Sequence, residues 1–382
     1  MSTMTRTSDS TAPTGGLLLA FELGQRSWKL GFTVGMGQRP RIRQIPAGAT
    51  TALSTEMERA KARLGLPSDA PVVSCYEAGR DGFWLHRYLI AHGVTNYVVD
   101  SSSIEVNRRA RRAKTDGLDL AGLLSLLARY VLGDRRAWRV VRVPTMAEED
   151  ARHLPRTLEA LTQDRTRLMN RLQSLLTTQG VSLPIDATFR QRLDAAQLWD
   201  GAPLPPGLQE RLTRTWTQLQ EVEGQVRDVK ARRLNRPAHL TPATSHALTQ
   251  LLTMRAIGPI GASVLATEIF GWRRIRNRRE LGALVGLVPA PYQSGETDYD
   301  QGITRAGNAH VRRVIVQLAW GWIRHQPDSA LTHWYQQRCG GGGKRLRKIG
   351  IVALARQLLI ALWRYLETGV VPDGAQLKPM AV

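Results

Sequence analysis

The stretch Leu17-Leu18-Leu19-Ala20-Phe21-Glu22-Leu23-Gly24-Gln25-Arg26-Ser27-Trp28-Lys29-Leu30-Gly31-Phe32-Thr33-Val34 decides the fold. Leu17–Glu22 is an apolar run closed by an acid, and after a turn at Leu23–Ser27 a second strand-like segment covers Trp28–Val34. Working outward, a third strand is expected near Arg41–Ile45 and a helix from about Ser54 to Leu64. Pro71–Tyr76 has the Val and aromatic content of a buried strand. Phe83–Ala91 reads as a helix, Asn96–Val99 as a short strand, and Asp116 to about Leu132 as a further helix. This order predicts a mixed α/β domain over residues 16–145. Residues 1–15, rich in Ser and Thr, are expected to be a flexible tail and lack the apolar segment of a signal peptide.

Downstream the pattern changes. Leu154, Leu158, Leu161, Leu168, Leu172 and Leu175 follow steps of four and three, with Arg165 in the missing slot; Leu208, Leu212, Leu219, Val222, Val226 and Val229 form a second ladder. Both are heptad-like seams. Pro184, Pro203, Pro205 and Pro206 break the helices between them. A coiled-coil helical arm over 146–241 is expected, folded into an antiparallel hairpin and serving as a spacer or as a dimerisation arm. Residues 242–382 predict a mostly helical domain with a loop-rich centre at Pro289–Asn308. Its four-glycine loop, Gly340–Gly343, precedes the basic Lys344–Lys348.

The 382 residues include 53 Lys and Arg against 32 Asp and Glu, a net charge of +21, and 42 % are apolar. The apolar share excludes a wholly disordered basic tail protein. The charge points to a polyanionic partner, nucleic acid first and a membrane surface second. No run of about 18 apolar residues is present, so no bilayer span is expected. Two cysteines, Cys75 and Cys339, are too few for a disulfide framework or a zinc knuckle. A soluble, cytoplasmic, nucleic-acid-binding protein is expected.

Four acids stand where chemistry is built. Glu22 ends the first strand, Glu77 follows the strand Pro71–Tyr76, and Asp116 and Asp119 share one face at a helix start. Converging carboxylates suit Mg²⁺ (or Mn²⁺) and phosphoryl transfer, although each acid alone reads equally as a solvated group. Arg108, Arg109, Arg111, Arg112 and Lys114 place five cations in seven residues beside the Asp pair. They read as phosphate ligands or as a solvated charge run. Ala256-Ile257-Gly258-Pro259-Ile260-Gly261-Ala262 resembles a helix–hairpin–helix turn, whose Gly258 and Gly261 would let the backbone approach a phosphate. Trp272 with Arg273, Arg274, Arg276, Arg278 and Arg279 forms a basic strip with an aromatic able to stack on a base. Arg305, Lys344 and Arg345 are further phosphate candidates. Ser294 precedes Gly295 in an expected loop, where its hydroxyl would need a base or a metal to become a nucleophile.

Together these motifs resemble the DEDD-type insertion-sequence transposases, the IS-one-ten family, now known as bridge-RNA-guided recombinases. The resemblance covers most of residues 17–370. It is sharpest at Tyr76-Glu77-Ala78-Gly79, Lys114-Thr115-Asp116-Gly117-Leu118-Asp119, Ile257-Gly258-Pro259, Gly286-Leu287-Val288-Pro289, Ser294-Gly295 and Gly302-Ile303-Thr304-Arg305-Ala306-Gly307-Asn308. It implies a RuvC-like (RNase H-type) N-terminal domain carrying four acids, a coiled-coil arm, and a C-terminal transposase domain with a catalytic serine. By motif the serine is Ser294, and the second, third and fourth acids are Glu77, Asp116 and Asp119. The first acid, normally an aspartate, falls on Glu22, whose extra methylene can move the carboxylate by ~1.5 Å.

The resemblance further implies recombination of double-stranded DNA in the bacterial cytoplasm, at the nucleoid, guided by a structured non-coding RNA. It implies Mg²⁺ (or Mn²⁺), a homodimer or tetramer, a covalent phosphoserine link to DNA, and no membrane. From the residues alone two other readings stand beside it. One is a RuvC-like metal-dependent nuclease without serine chemistry; the other is a non-catalytic nucleic-acid-binding protein derived from a transposase.

Overall fold

A computed structural model describes residues 15–104, 116–234, 240–294 and 297–379. The chain divides into two compact units, Met1–Val143 and Pro144–Val382, so the arm and the C-terminal region belong to one unit.

In the first unit β1 (Leu17–Leu23), β2 (Ser27–Thr33), β3 (Arg41–Pro46), β4 (Val72–Glu77) and β5 (Thr95–Val99) form a five-stranded sheet, ordered β3-β2-β1-β4-β5. The pairs β1–β2 and β2–β3 are antiparallel, whereas β1–β4 and β4–β5 are parallel. The central place of β1 accounts for its unbroken apolar run, because both faces of that strand are covered. On one face Leu17, Leu19 and Phe21 join Leu53 and Met57 of α1 (Thr50–Arg63) and Leu85 and Leu89 of α2 (Trp84–Ala91). On the other, Leu18, Ala20 and Cys75 join Leu120, Leu124 and Leu127 of α3 (Asp116–Val131). Gly31, paired with Ala20, lets α3 lie close, since a Cβ there would stand 3.0 Å from Leu124 Cδ1. The strands and helices fall within about one helical turn of where the sequence puts them.

The second unit contains α4 (Met146–Asp150), α5 (His153–Thr177), α6 (Phe189–Asp194), α7 (Pro206–Leu234), α8 (Pro242–Thr253), α9 (Pro259–Leu265) and α10 (Arg278–Leu284). It continues with β6 (Pro289–Ser294), β7 (Thr297–Ile303), α11 (Ala309–His325), α12 (Ala330–Tyr335) and α13 (Lys344–Thr368). Leu158 clusters with Val226 and Val229, whereas Leu168, Leu172 and Leu176 cluster with Leu212 and Leu219, so α5 and α7 run antiparallel. Arg165, the break in the first ladder, donates from Nε to Glu223 Oε1 of α7 at 2.9 Å.

Helix α13 has the length and composition to cross a bilayer. Here Leu354, Ala355, Leu358, Leu359 and Leu362 are fully buried against α11 residues such as Ile315 and Trp322, as in a core helix. The segment read as loop-rich is corrected: Pro289–Ser294 and Thr297–Ile303 pair as antiparallel strands, with Ser294 opposite Thr297. A two-stranded ladder leaves outward positions for Pro289 and Pro291, and its register shifts between them.

Candidate active site and nucleic-acid interface

Strands β1 and β4 run parallel with Phe21 beside Tyr76, so Glu22 and Glu77 are the next pair along. Ala20 and Cys75, the pair before those, lie under α3, and side-chain alternation returns Glu22 and Glu77 to that same face. Glu22 is half-buried and Glu77 exposed. Asp116 opens α3 about 6 Å of helix before Leu120. Leu120 Cβ lies 3.6 Å from where a Gly31 Cβ would stand. The side chains of Asp116 and Asp119 lie outside what is described, and among the described residues no three His, Cys, Asp or Glu side chains form a metal-binding group. Two carboxylates on adjacent strand ends, one open to solvent, are hard oxygen donors of the kind Mg²⁺ or Mn²⁺ takes while keeping water ligands. The residues fit such an ion. Cys75 does not join them, because complete burial pushes its thiol pKa up and keeps it protonated.

Ser294 ends β6 in the second unit. The base of its hairpin is clamped: Thr304 N–H donates to Val288 O at 2.9 Å, Arg305 N–H to Gly286 O at 3.2 Å, and Asn308 N–H to Leu284 O at 2.8 Å. Gly286 and Gly307 have φ of 66° and 82°, and a Cβ on either would fall 2.0 Å from Ala306 O and 2.3 Å from Leu284 O respectively. Only glycine fits there.

Asn308 closes this clamp. Its Oδ1 accepts Val311 N–H at 3.1 Å as the N-cap of α11, and its Nδ2 donates to Glu268 Oε2 at 2.9 Å. Glu268 sits in a π-helical turn over Ala266–Phe270, 1 % exposed, and accepts Arg156 Nε at 2.6 Å and Nη2 at 3.0 Å from α5. Burial pushes the Glu268 carboxyl pKa up, but the hydrogen bonds and charge of Arg156, with Asn308 and Arg152, outweigh it and hold the group below the usual range. One turn along α5, Glu159 meets His310 and Arg313 of α11. Sequence reasoning missed Glu268. Its signal was a single charge in the otherwise uncharged run Val264–Phe270.

Of the expected phosphate ligands, Arg108, Arg109, Arg111, Arg112 and Lys114 lie outside the described residues. Arg274, Arg276, Arg278, Arg279, Arg305, Lys344 and Arg345 are exposed. Lys344 and Arg345 open α13, whose first turn carries no acid, so cations gather at the positive end of a helix dipole, an arrangement that an anion relieves. Two expectations are corrected. Gly261 is buried, and a Cβ there would stand 2.8 Å from Leu318 Cδ2, so this glycine serves the close packing of α9 on α11. Gly258 is the N-cap of α9. Trp272 is 3 % exposed, donates from Nε1 to Thr267 O at 3.0 Å, and has the half-buried Arg273 guanidinium 4.2 Å from its ring centroid, so it has no free face for a base.

Two family models match the chain: the Transposase IS116/IS110/IS902 family over residues 248–334, and a DEDD transposase model of the IS110 type over residues 44–179. The putative transposase y4rJ of Sinorhizobium fredii is 39 % identical over 378 residues, 95 % of each chain. The transposase for insertion sequence element IS1328 of Yersinia enterocolitica is 29 % identical over 57 % of this chain and 63 % of its own. A probable family 20 transposase of Pseudomonas aeruginosa is 27 % identical over 61 % and 68 %. The central sheet with acids at its strand ends and the mostly helical C-terminal region accord with these matches. The chain belongs to the IS116/IS110/IS902 family of DEDD transposases, whose activity is the cleavage and transfer of DNA strands.

Proposed function

We propose that this transposase is an RNA-guided recombinase that cleaves and exchanges double-stranded DNA with Ser294 as nucleophile and Glu22, Glu77, Asp116 and Asp119 as metal ligands. The supporting observation is the side-by-side position of Glu22 and Glu77 at the ends of parallel strands, on the face covered by the helix that Asp116 opens. A divalent cation, Mg²⁺ or Mn²⁺, held by these carboxylates supplies neutralisation of the charge that develops on the phosphoryl oxygens. Ser294 Oγ gives up its proton and attacks the phosphorus of a phosphodiester. One P–O bond to the adjoining nucleoside breaks and the departing oxygen takes up a proton, matching the one that Ser294 released, so a phosphoserine link and a free hydroxyl remain. Attack by a hydroxyl from another strand reverses the step and completes exchange. The exposed Arg274, Arg276, Arg278, Arg279, Arg305, Lys344 and Arg345 hold backbone phosphates without reading bases. Sequence choice then comes from pairing with a structured non-coding RNA, and the arm joins copies into a dimer or tetramer.

The test incubates protein carrying RNA from its own locus with end-labelled duplex DNA and Mg²⁺, followed by a denaturing gel. A covalent protein–DNA band is expected, and Ser294→Ala abolishes it while binding persists. Cleavage by Ser294→Ala without an adduct would instead establish a metal-dependent nuclease. Binding with no cleavage at any Mg²⁺ concentration would establish a non-catalytic protein.

A further inference from the structure

The arm carries a feature that neither the acids nor the serine hairpin uses. Where the first turns of α7 pass α5, an open cavity of about 400 Å³ is lined by Arg171 of α5 and by Glu210, Arg211, Arg214, Thr215 and Gln218 of α7. Arg211, Arg214 and Gln218 follow helical spacing, so α7 presents them as one stripe facing Arg171. Arg214 pairs with Glu210 one turn away at the surface. The guanidinium groups of Arg171 and Arg211 make no ion pair or hydrogen bond with another described residue, although the Arg211 carbonyl accepts from Thr215 Oγ1 at 2.8 Å. Three arginines against one glutamate leave two positive charges directed at the cavity.

The lining selects the occupant. It includes no aromatic or large apolar side chain, so it offers neither a stacking platform nor an apolar seat. Guanidinium forks match phosphate oxygens in two-point hydrogen bonds, with Gln218 available as a neutral donor. The cavity is open to solvent, so a backbone can reach its guanidinium groups. The protein's own charge of +21 draws a polyanion to it.

From this arrangement we infer that the α5–α7 groove of the arm is a phosphodiester-backbone site, with Arg171 and Arg211 as its two principal ligands. The inference rests on the family's action on DNA, independently of the serine and metal assignments. The arm is then a nucleic-acid contact in addition to any role as spacer or assembly element. The backbone can be that of the DNA substrate or of a bound RNA; both present the same chemistry.

The test uses full-length Ser294→Ala protein, so that cleavage does not interfere with binding. Affinity for a labelled duplex DNA, and separately for RNA transcribed from DNA flanking the gene, is measured across a salt series. Arg171→Ala/Arg211→Ala is compared with Arg227→Ala/Lys230→Ala, which removes the same charge from exposed α7 positions outside the groove. With ~0.7–0.9 in the slope of log K against log[salt] per phosphate contact, the groove variant should lose about 1.4–1.8 and the control nothing. The ligand whose slope falls is the one that lies in the groove. Protection of Arg171 and Arg211 in the parent protein from an arginine-specific reagent, upon adding that ligand, gives a readout that needs no substitution. Unchanged slopes with both ligands and no protection, as an acidic protein partner would give, overturn the inference. An equal fall in the control overturns it too.

Discussion

The side-chain amide of Asn308 donates to the buried carboxylate of Glu268 at 2.9 Å, while the same carboxylate takes two hydrogen bonds from Arg156. One acid thus ties the root of the arm to the strap that closes the Ser294 hairpin. Asn308→Ala removes this hydrogen bond and the cap of α11. The cap is worth ~1 kcal/mol and a hydrogen bond to a charged group ~1.5–3 kcal/mol. A loss of about 2.5–4 kcal/mol of stability is expected in denaturant titration of the C-terminal unit's signal. A loss below ~0.5 kcal/mol would show that the strap is held without Asn308.

Acid should loosen the same joint. The folded Glu268 carboxyl lies below its ordinary value of 4.5, so its stabilisation is fully present above pH 4.5 and is lost as pH falls through the lower folded value. Below that range Arg156 and Asn308 face a neutral acid. Glu268→Gln should be less stable than the parent at pH 7, and the gap should narrow as pH falls below 4.5 through the lowered folded value. Melting curves at several pH values measure this. A gap that stays constant with pH would mean that Glu268 does not titrate with folding.

Trp272 and the arginines after it should separate stability from binding. Trp272→Ala empties a buried site and should cost ~3–5 kcal/mol. In an Arg274→Ala/Arg276→Ala double variant, two exposed cations are lost. Stability should hold within ~0.5 kcal/mol, and the salt slope of nucleic-acid binding should fall by about 1.4–1.8. If Trp272→Ala melts like the parent yet binds more weakly, the indole is a nucleic-acid contact rather than a core residue.

What was legible in the chain follows from how local each signal was. Leu17–Phe21 was legible as a strand from its unbroken apolar run, whose cause, burial on both faces, only the sheet order shows, and Glu22 and Glu77 were legible as acids at two strand ends. The β6–β7 hairpin was not, because neither strand lies within a larger sheet and Pro289, Pro291, Gly295 and Gly302 punctuate it like loops. Glu268 was missed because its partners lie 112 and 40 residues away in sequence. Trp272 beside Arg273 reads the same whether the guanidinium covers the ring or a base does. Gly261 likewise fits a phosphate turn or a close helix crossing, and only the position of Leu318 decides.

Glu22 offers the sharpest test of the acidic site. It stands at a strand end, half-buried, with Glu77 beside it on β4 and Lys29 opposite on β2. Its Oε2 is buried at that position, so the longer arm is accommodated within the packing at the end of β1. Glu22→Asp withdraws the charge by ~1.5 Å while keeping it. A metal placed for the longer arm would then lose a ligand or bind off-centre. Strand cleavage by Glu22→Asp is therefore expected to fall about tenfold, equivalent to ~1.4 kcal/mol in the barrier. More Mg²⁺ should be needed for half-maximal rate, and Glu22→Gln, lacking the charge, should be inactive at any Mg²⁺ concentration. Nucleic-acid affinity measured in EDTA should be unchanged in both. A rise in cleavage with Glu22→Asp would show that the sheet suits the shorter acid better. Equal activity in parent, Glu22→Asp and Glu22→Ala would remove Glu22 from the site altogether.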